Sequence, residues 1–145
     1  MKLIYKYFVF LSFLYVLLCK DFICEIKDNE IEKPNFDLAN IQFEFNSFVL
    51  KTASLPILDK AVAEMKKAPN TKFILNGHSS AEGSAAHNMS LSIDRANAVK
   101  SYFVNAGLSD ANFTIVGHGD KQPVSSNATE AGRMLNRRTE IQVKN

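Results

Sequence analysis

Between residues 41 and 143 the apolar residues switch repeatedly from a spacing of two to a spacing near 3.6. That alternation limits the chain to a layered arrangement of strands and helices. Over residues 41–45, Ile41, Phe43 and Phe45 alternate with Gln42 and Glu44, which predicts a half-buried strand with the three apolar side chains on one face. Over residues 54–67, Leu55, Leu58, Val62 and Met65 form the stripe of an amphipathic helix. Pro56 sits near its start and Ala68-Pro69-Asn70 ends it. Residues 72–76 carry Phe73, Ile74 and Leu75 in succession and read as a buried strand. A second helix is predicted over residues 84–105, with Gly107 beyond it as a stop signal. Residues 113–116 read as a third strand, 129–135 as a short helix, and 139–143, alternating again, as the last strand. The order β-α-β-α-β-(α)-β predicts an α/β (α+β) fold: a two-layer sandwich of a mixed four-stranded sheet with the helices on one face.

Composition removes several classes of function. Of the 145 residues 46% are hydrophobic and 22% charged, enough to bury a core and too apolar for a disordered chain. The net charge of +2 is too small to drive phosphate attraction, so no nucleic-acid partner is expected. Neither of the glycine-rich phosphate loops is present. Cys19 and Cys24 both precede the predicted domain, so neither a disulfide nor a cysteine-ligated zinc site is expected inside it.

The N-terminal segment has a different character. Lys2 and Lys6 precede an apolar run over residues 7–19, shorter than the roughly 20 residues that span a bilayer. A basic start with a short apolar run reads as a secretory signal. Counting from Leu3 lengthens the run toward an uncleaved membrane anchor, and both readings stand. Cys19 closes the run in a position that resembles the acylated cysteine of bacterial lipoproteins. Residues 20–36 include Asp21, Glu25, Asp28, Glu30 and Glu32 and read as an acidic, solvated linker. Residues 37–145 then form the one folded domain.

Motifs in that domain occur in a particular order. The segment GHSSAEG covers residues 77–83, and Asn88, Leu91, Ser92, Arg95 and Ala96 follow in the pattern N-x-x-L-S-x-x-R-A. Gly117 and Gly119, Pro123, and then Asn127, Thr129, Gly132, Arg133, Asn136, Arg137 and Arg138 complete the series. This series resembles the OmpA-like C-terminal domain shared by outer-membrane proteins, peptidoglycan-associated lipoproteins and motor stators. The resemblance implies non-covalent binding of the peptidoglycan stem peptide, typically at diaminopimelate, with no cofactor. It also implies an exported module at the periplasmic face of the outer membrane, or anchored in the inner membrane with the domain in the periplasm. The partners are then peptidoglycan, the membrane reached through the N-terminal segment, and other envelope proteins.

Diaminopimelate carries an ammonium and a carboxylate on one carbon, so its recognition calls for an anion and a cation a few ångströms apart. By resemblance, Arg95 meets the carboxylate, for which a guanidinium offers two parallel donors. Leu91, Arg95 and Val99 share a helix face. On spacing alone, the alternative for Arg95 is a structural ion pair with Asp94 or Glu82. The aspartate that meets the ammonium in the family is Ser80 here, which brings no charge. Glu82, two residues on, is expected to supply the carboxylate instead. Phe45, Asn46 and Leu91 stand at positions that border the family's cleft, and Asn88 is expected to cap or brace the loop. For Phe45 and Leu91, ordinary core packing is an equal reading.

Other chemistry has less behind it. His78 and His118 each follow a glycine, but no third ligand stands at metal spacing, and no metal is expected. His78 is expected to brace the turn through a hydrogen bond, and His87 to lie on the surface. Arg133, Arg137 and Arg138 form a basic cluster read as structural. A wall-cutting enzyme would need a nucleophile with its base or paired carboxylates, and the adjacency of His78, Ser79 and Ser80 does not make a triad. A binding module is therefore expected, not an enzyme. An envelope or motor-complex interaction domain with lost or altered wall binding is the alternative that Ser80 favours.

Overall fold

The computed structural model describes residues 41–144. The expected signal or anchor over residues 1–19, the expected acylation at Cys19, the expected linker over residues 20–36 and residues 37–40 lie outside the described residues. The elements run β1 (Ile41–Gln42), α1 (Leu55–Lys67), β2 (Phe73–Gly77), α2 (Ala85–Asn105), β3 (Phe113–Gly117), α3 (Glu130–Asn136) and β4 (Arg138–Val143). Short 3-10 turns, Thr52–Ser54 and Asp110–Asn112, precede α1 and β3. The sheet order is β1-β4-β2-β3, with β4 antiparallel to both β1 and β2, and β2 parallel to β3. The parallel pair requires a crossover, and α2 supplies it. The fold is the mixed four-stranded α+β sandwich expected from the periodicity.

The core joins Ile41 and Phe43, Leu58, Val62 and Met65 of α1, Phe73 and Leu75 of β2, Ala96, Val99 and Phe103 of α2, and Phe113. Of the predicted α1 stripe Leu58, Val62 and Met65 are buried, whereas Leu55, at the helix start, is exposed; the Tyr102 hydroxyl donates to Asp59 Oδ1 to tie α2 to α1. Gly77 sets how closely α2 approaches the sheet. A Cβ there would lie 1.9 Å from the Ser92 carbonyl oxygen, so only glycine lets the helix rest on the end of β2. This contact holds the first half of α2 above the segment that leaves β2, where residues 78–84 begin.

Two expectations are corrected. The first strand stops at Gln42, and the chain turns back through an isolated Phe43–Leu50 bridge, with Glu44 N–H donating to the Val49 carbonyl. Ile41 and Phe43 are buried, but Phe45 lies beyond the strand, 62% exposed, and is not core. In β2, Ile74 is only half-buried, because one face of the strand covers the core while the other looks outward.

Candidate functional site

A cleft of about 230 Å³ opens where residues 45–46, residues 80–83 and the first half of α2 meet. It gathers Phe45, Asn46, Ser80, Glu82, Asn88, Leu91 and Arg95, residues up to 50 apart in sequence. Gly83, His87 and Arg137 also line it, none of which was picked out from sequence as a ligand contact.

Arg95 is fully buried on α2. Its Nε donates to the Ser47 carbonyl at 3.0 Å and its Nη1 to the His78 carbonyl at 2.9 Å, while the guanidinium carbon lies 5.5 Å from the Phe43 ring centre. Nη2 is buried with no acceptor among the described residues. The alternative read from spacing, an ion pair with Asp94 or Glu82, is not made: carbonyls, not a carboxylate of either residue, fix this side chain. Burial, reinforced by the nearby Arg137 charge, lowers its pKa to about 10. It remains a cation at neutral pH, held by two carbonyls and paired with no acid among the described residues.

The opposite wall is tied into an ionic group. Ser80 is buried, and its Oγ donates to Glu82 Oε2 at 3.0 Å. Glu82 pairs with Arg133 Nε at 3.3 Å and with Arg137 Nη1 at 3.5 Å. Arg137, buried, reaches on to Glu130 at 2.5 Å and lies over the Phe45 ring at 5.4 Å. These two arginines hold the Glu130 carboxyl below its ordinary pKa, Arg137 foremost. Phe45 thus forms an aromatic wall, held by a cation and not by the core. Asn46 takes the left-handed conformation, φ +45°, which asparagine tolerates, and its Oδ1 shares a 2.9 Å hydrogen bond with His87 Nε2. Asn88 is buried and donates to Asp120 Oδ2 at 3.2 Å, so it braces the loop after β3, while Ser84 caps α2 by accepting from the His87 N–H.

Comparison with known proteins gives this cleft a family. The profile of the OmpA family matches residues 42–137. The chain belongs to the OmpA family. It is 37% identical over 105 residues to outer membrane porin F of Pseudomonas fluorescens, covering 72% of this chain and 32% of that protein. It is 36% identical over 103 residues to the peptidoglycan-binding protein ArfA of Mycobacterium bovis, covering 71% and 32%. The chain therefore spans about a third of the length of these relatives. In structure it is similar to the peptidoglycan-associated lipoprotein of Burkholderia pseudomallei, with TM-score 0.71 and 24% identity over 80% of this chain and 98% of that one.

The last motif of the OmpA-family series becomes intelligible in three dimensions. Thr129 caps α3 by accepting from the Gly132 N–H at 3.1 Å. A Cβ on Gly132 would lie 1.9 Å from the Ser126 carbonyl, so the loop before α3 folds directly onto the helix. Asn136, fully buried, accepts from the Val124 and Ser125 N–H groups and donates to Ser125 O and Asn127 Oδ1. Asn127 Oδ1 in turn accepts from the Ala81 N–H at 3.2 Å, which pins the cleft wall to this loop. The three arginines then diverge. Arg133 and Arg137 face Glu82, whereas Arg138 pairs with Glu140 on β4 at 2.6 Å.

The histidines differ from expectation in one respect. His78 braces the turn through its backbone, donating to the Arg138 carbonyl and accepting from Arg95, whereas its ring nitrogens have no hydrogen-bond partner among the described residues. The ring stacks on His118 at 4.8 Å. Burial, then the Arg138 charge, lowers its pKa to about 4, so it is neutral at pH 7. Among the described residues no group of three or more His, Cys, Asp or Glu is placed to hold a metal ion. His87 is exposed, as expected, but borders the cleft. Nothing in its spacing marks it. Arg137 carried a signal in its motif, but a cluster of three arginines does not say which one turns inward.

Proposed function

We propose that this domain binds the peptidoglycan stem peptide non-covalently and tethers an envelope membrane to the cell wall. The observation that carries the proposal is Arg95, a buried guanidinium at the cleft that has, among the described residues, no carboxylate partner and one unpaired donor. A ligand carboxylate supplies the charge-assisted bond it lacks. Ser80 and Glu82 face the amine end, Phe45 and Leu91 provide apolar walls, and Asn46 and Asn88 line the polar edge. Support also comes from membership of the OmpA family and from a relative named as a peptidoglycan-binding protein. The domain acts as a binding module, not an enzyme. Residues 1–19 export or anchor the chain, with acylation at Cys19, and residues 20–36 link the anchor to a domain in the periplasm, on the outer-membrane side.

The test is retention on purified peptidoglycan. Wild type is retained, Arg95→Ala is not, and Ser80→Asp is retained more strongly. Equal retention of wild type and Arg95→Ala ends the proposal, and release of soluble wall fragments would make the protein an enzyme. The second reading, an envelope or motor-complex domain with altered wall binding, rests on Ser80. It prevails if wild type is not retained and Ser80→Asp is.

A further inference from the structure

Resting on that reading of the cleft, we propose that its ligand is recognised through a carboxylate alone, held between Arg95 and Arg137, with the neighbouring amine free or acylated. Cross-linked stem peptides, whose amine is acylated, are then bound as well as uncross-linked ones.

Hydrogen-bond accounting carries the inference. On the donor side, Arg95 Nη2 and Arg137 Nε are both buried and lack an acceptor among the described residues. An unsatisfied buried donor is costly, and an anion in the cleft removes that cost. On the acceptor side, the cleft's carboxylate and the Asn46 amide oxygen already have partners. Glu82 Oε1 meets Arg133, and Oε2 meets both Ser80 Oγ and Arg137. Asn46 Oδ1 is shared with His87. Among the described residues lining the cleft, no carboxylate is left without a cationic partner.

Charge points the same way. Two arginines and one glutamate line the cleft, so it carries net positive charge. Arg95 already feels the repulsion of Arg137, which an anion between them relieves and an ammonium would worsen. Glu82 is thereby a positioning residue: paired with Arg133 and Arg137, it holds the second guanidinium in place. Ser80 in place of an acid leaves the amine end to Glu82, whose charge two arginines already answer.

The experiment is calorimetric titration of the full chain, in detergent micelles, with three synthetic peptides of one sequence containing diaminopimelate. In the parent both the distal amine and carboxylate are free, in the second the amine is acetylated, and in the third the carboxylate is a carboxamide. Acetylation is expected to change affinity by less than about fivefold, the range of a weak, solvated charge contact. The carboxamide is expected to weaken binding by about tenfold or more, the loss of a charged hydrogen-bond partner. Arg137→Gln should erase much of the carboxamide penalty, and Ser80→Asp should make acetylation cost about tenfold. Acetylation costing wild type as much as the carboxamide overturns the inference, as does an Arg137→Gln protein that discriminates like wild type. A parent peptide that fails to bind also overturns it. If the same chain is still retained on whole peptidoglycan, the wall-binding reading survives that failure.

Discussion

Arg95 and Arg138 are buried to the same depth, 0% and 2% exposed, yet their surroundings assign them opposite work. Arg138, on β4, donates through Nε to Glu140 at 2.7 Å, pairs with it again through Nη2, and reaches the Gln122 carbonyl. Its charge is answered within the sheet. Arg95, on α2, donates among the described residues to the carbonyls of Ser47 and His78 and lies over the Phe43 ring, so its charge is answered there by dipoles and not by a carboxylate. A buried charge without a counter-ion is expensive to keep. The cost is understandable where a ligand brings the missing carboxylate. His78 joins the two arginines, since its backbone N–H donates to the Arg138 carbonyl and its own carbonyl accepts from Arg95.

The comparison can be broken at several points. The largest effect is expected from Gly77→Ala, which drives a Cβ into the Ser92 carbonyl and displaces the helix carrying Arg95 from the strand leading to His78. Urea unfolding should show a loss of about 3 kcal/mol or more, with peptidoglycan retention lost together with stability. An alanine variant as stable as wild type would mean that the helix does not need this close approach.

A comparable effect is expected from pH. His78 has a folded pKa of about 4 against an ordinary 6.5, so between these values the unfolded chain binds the extra proton. The contribution is fully present above pH 6.5 and is lost progressively as pH falls toward 4, on the order of 3 kcal/mol in all. Stability measured from pH 7 to 4 should show this slope, and His78→Gln should flatten it. An unchanged slope in the variant would place the titration elsewhere.

Smaller effects separate the arginines themselves. Arg138→Met leaves Glu140 without its guanidinium and should cost about 2 kcal/mol, while the folded protein keeps its peptidoglycan retention. Arg95→Met removes an uncompensated buried charge and should change stability by less than about 1 kcal/mol while abolishing retention. If Arg95→Met is as destabilising as Arg138→Met, both arginines are structural and the distinction between them disappears.

The order of strands and helices was legible because period two and period 3.6 each place apolar side chains on one face whatever the rest of the chain does. The stop at Gln42 was not legible. Alternation continues through Phe45, and only the turn back to Leu50 takes that ring out of the core and sets it under Arg137. The motif around Arg95 marked the helix face, and the series ending in Arg138 marked a basic cluster. The sorting of that cluster waited on α3, which turns Arg137 toward Glu82 while β4 carries Arg138 to Glu140.

By itself, then, the amino-acid sequence determined the element order, the glycine at the strand end and the residue types available to the cleft. Membership of the OmpA family follows from that ordered series. Tertiary structure alone decided which charges are answered and which are left open. Whether a guanidinium meets a carboxylate, as Arg138 does, or only carbonyls, as Arg95 does, depends on contacts between segments far apart in the chain. Residues 47, 78 and 95 meet at one point, and no local spacing encodes that meeting.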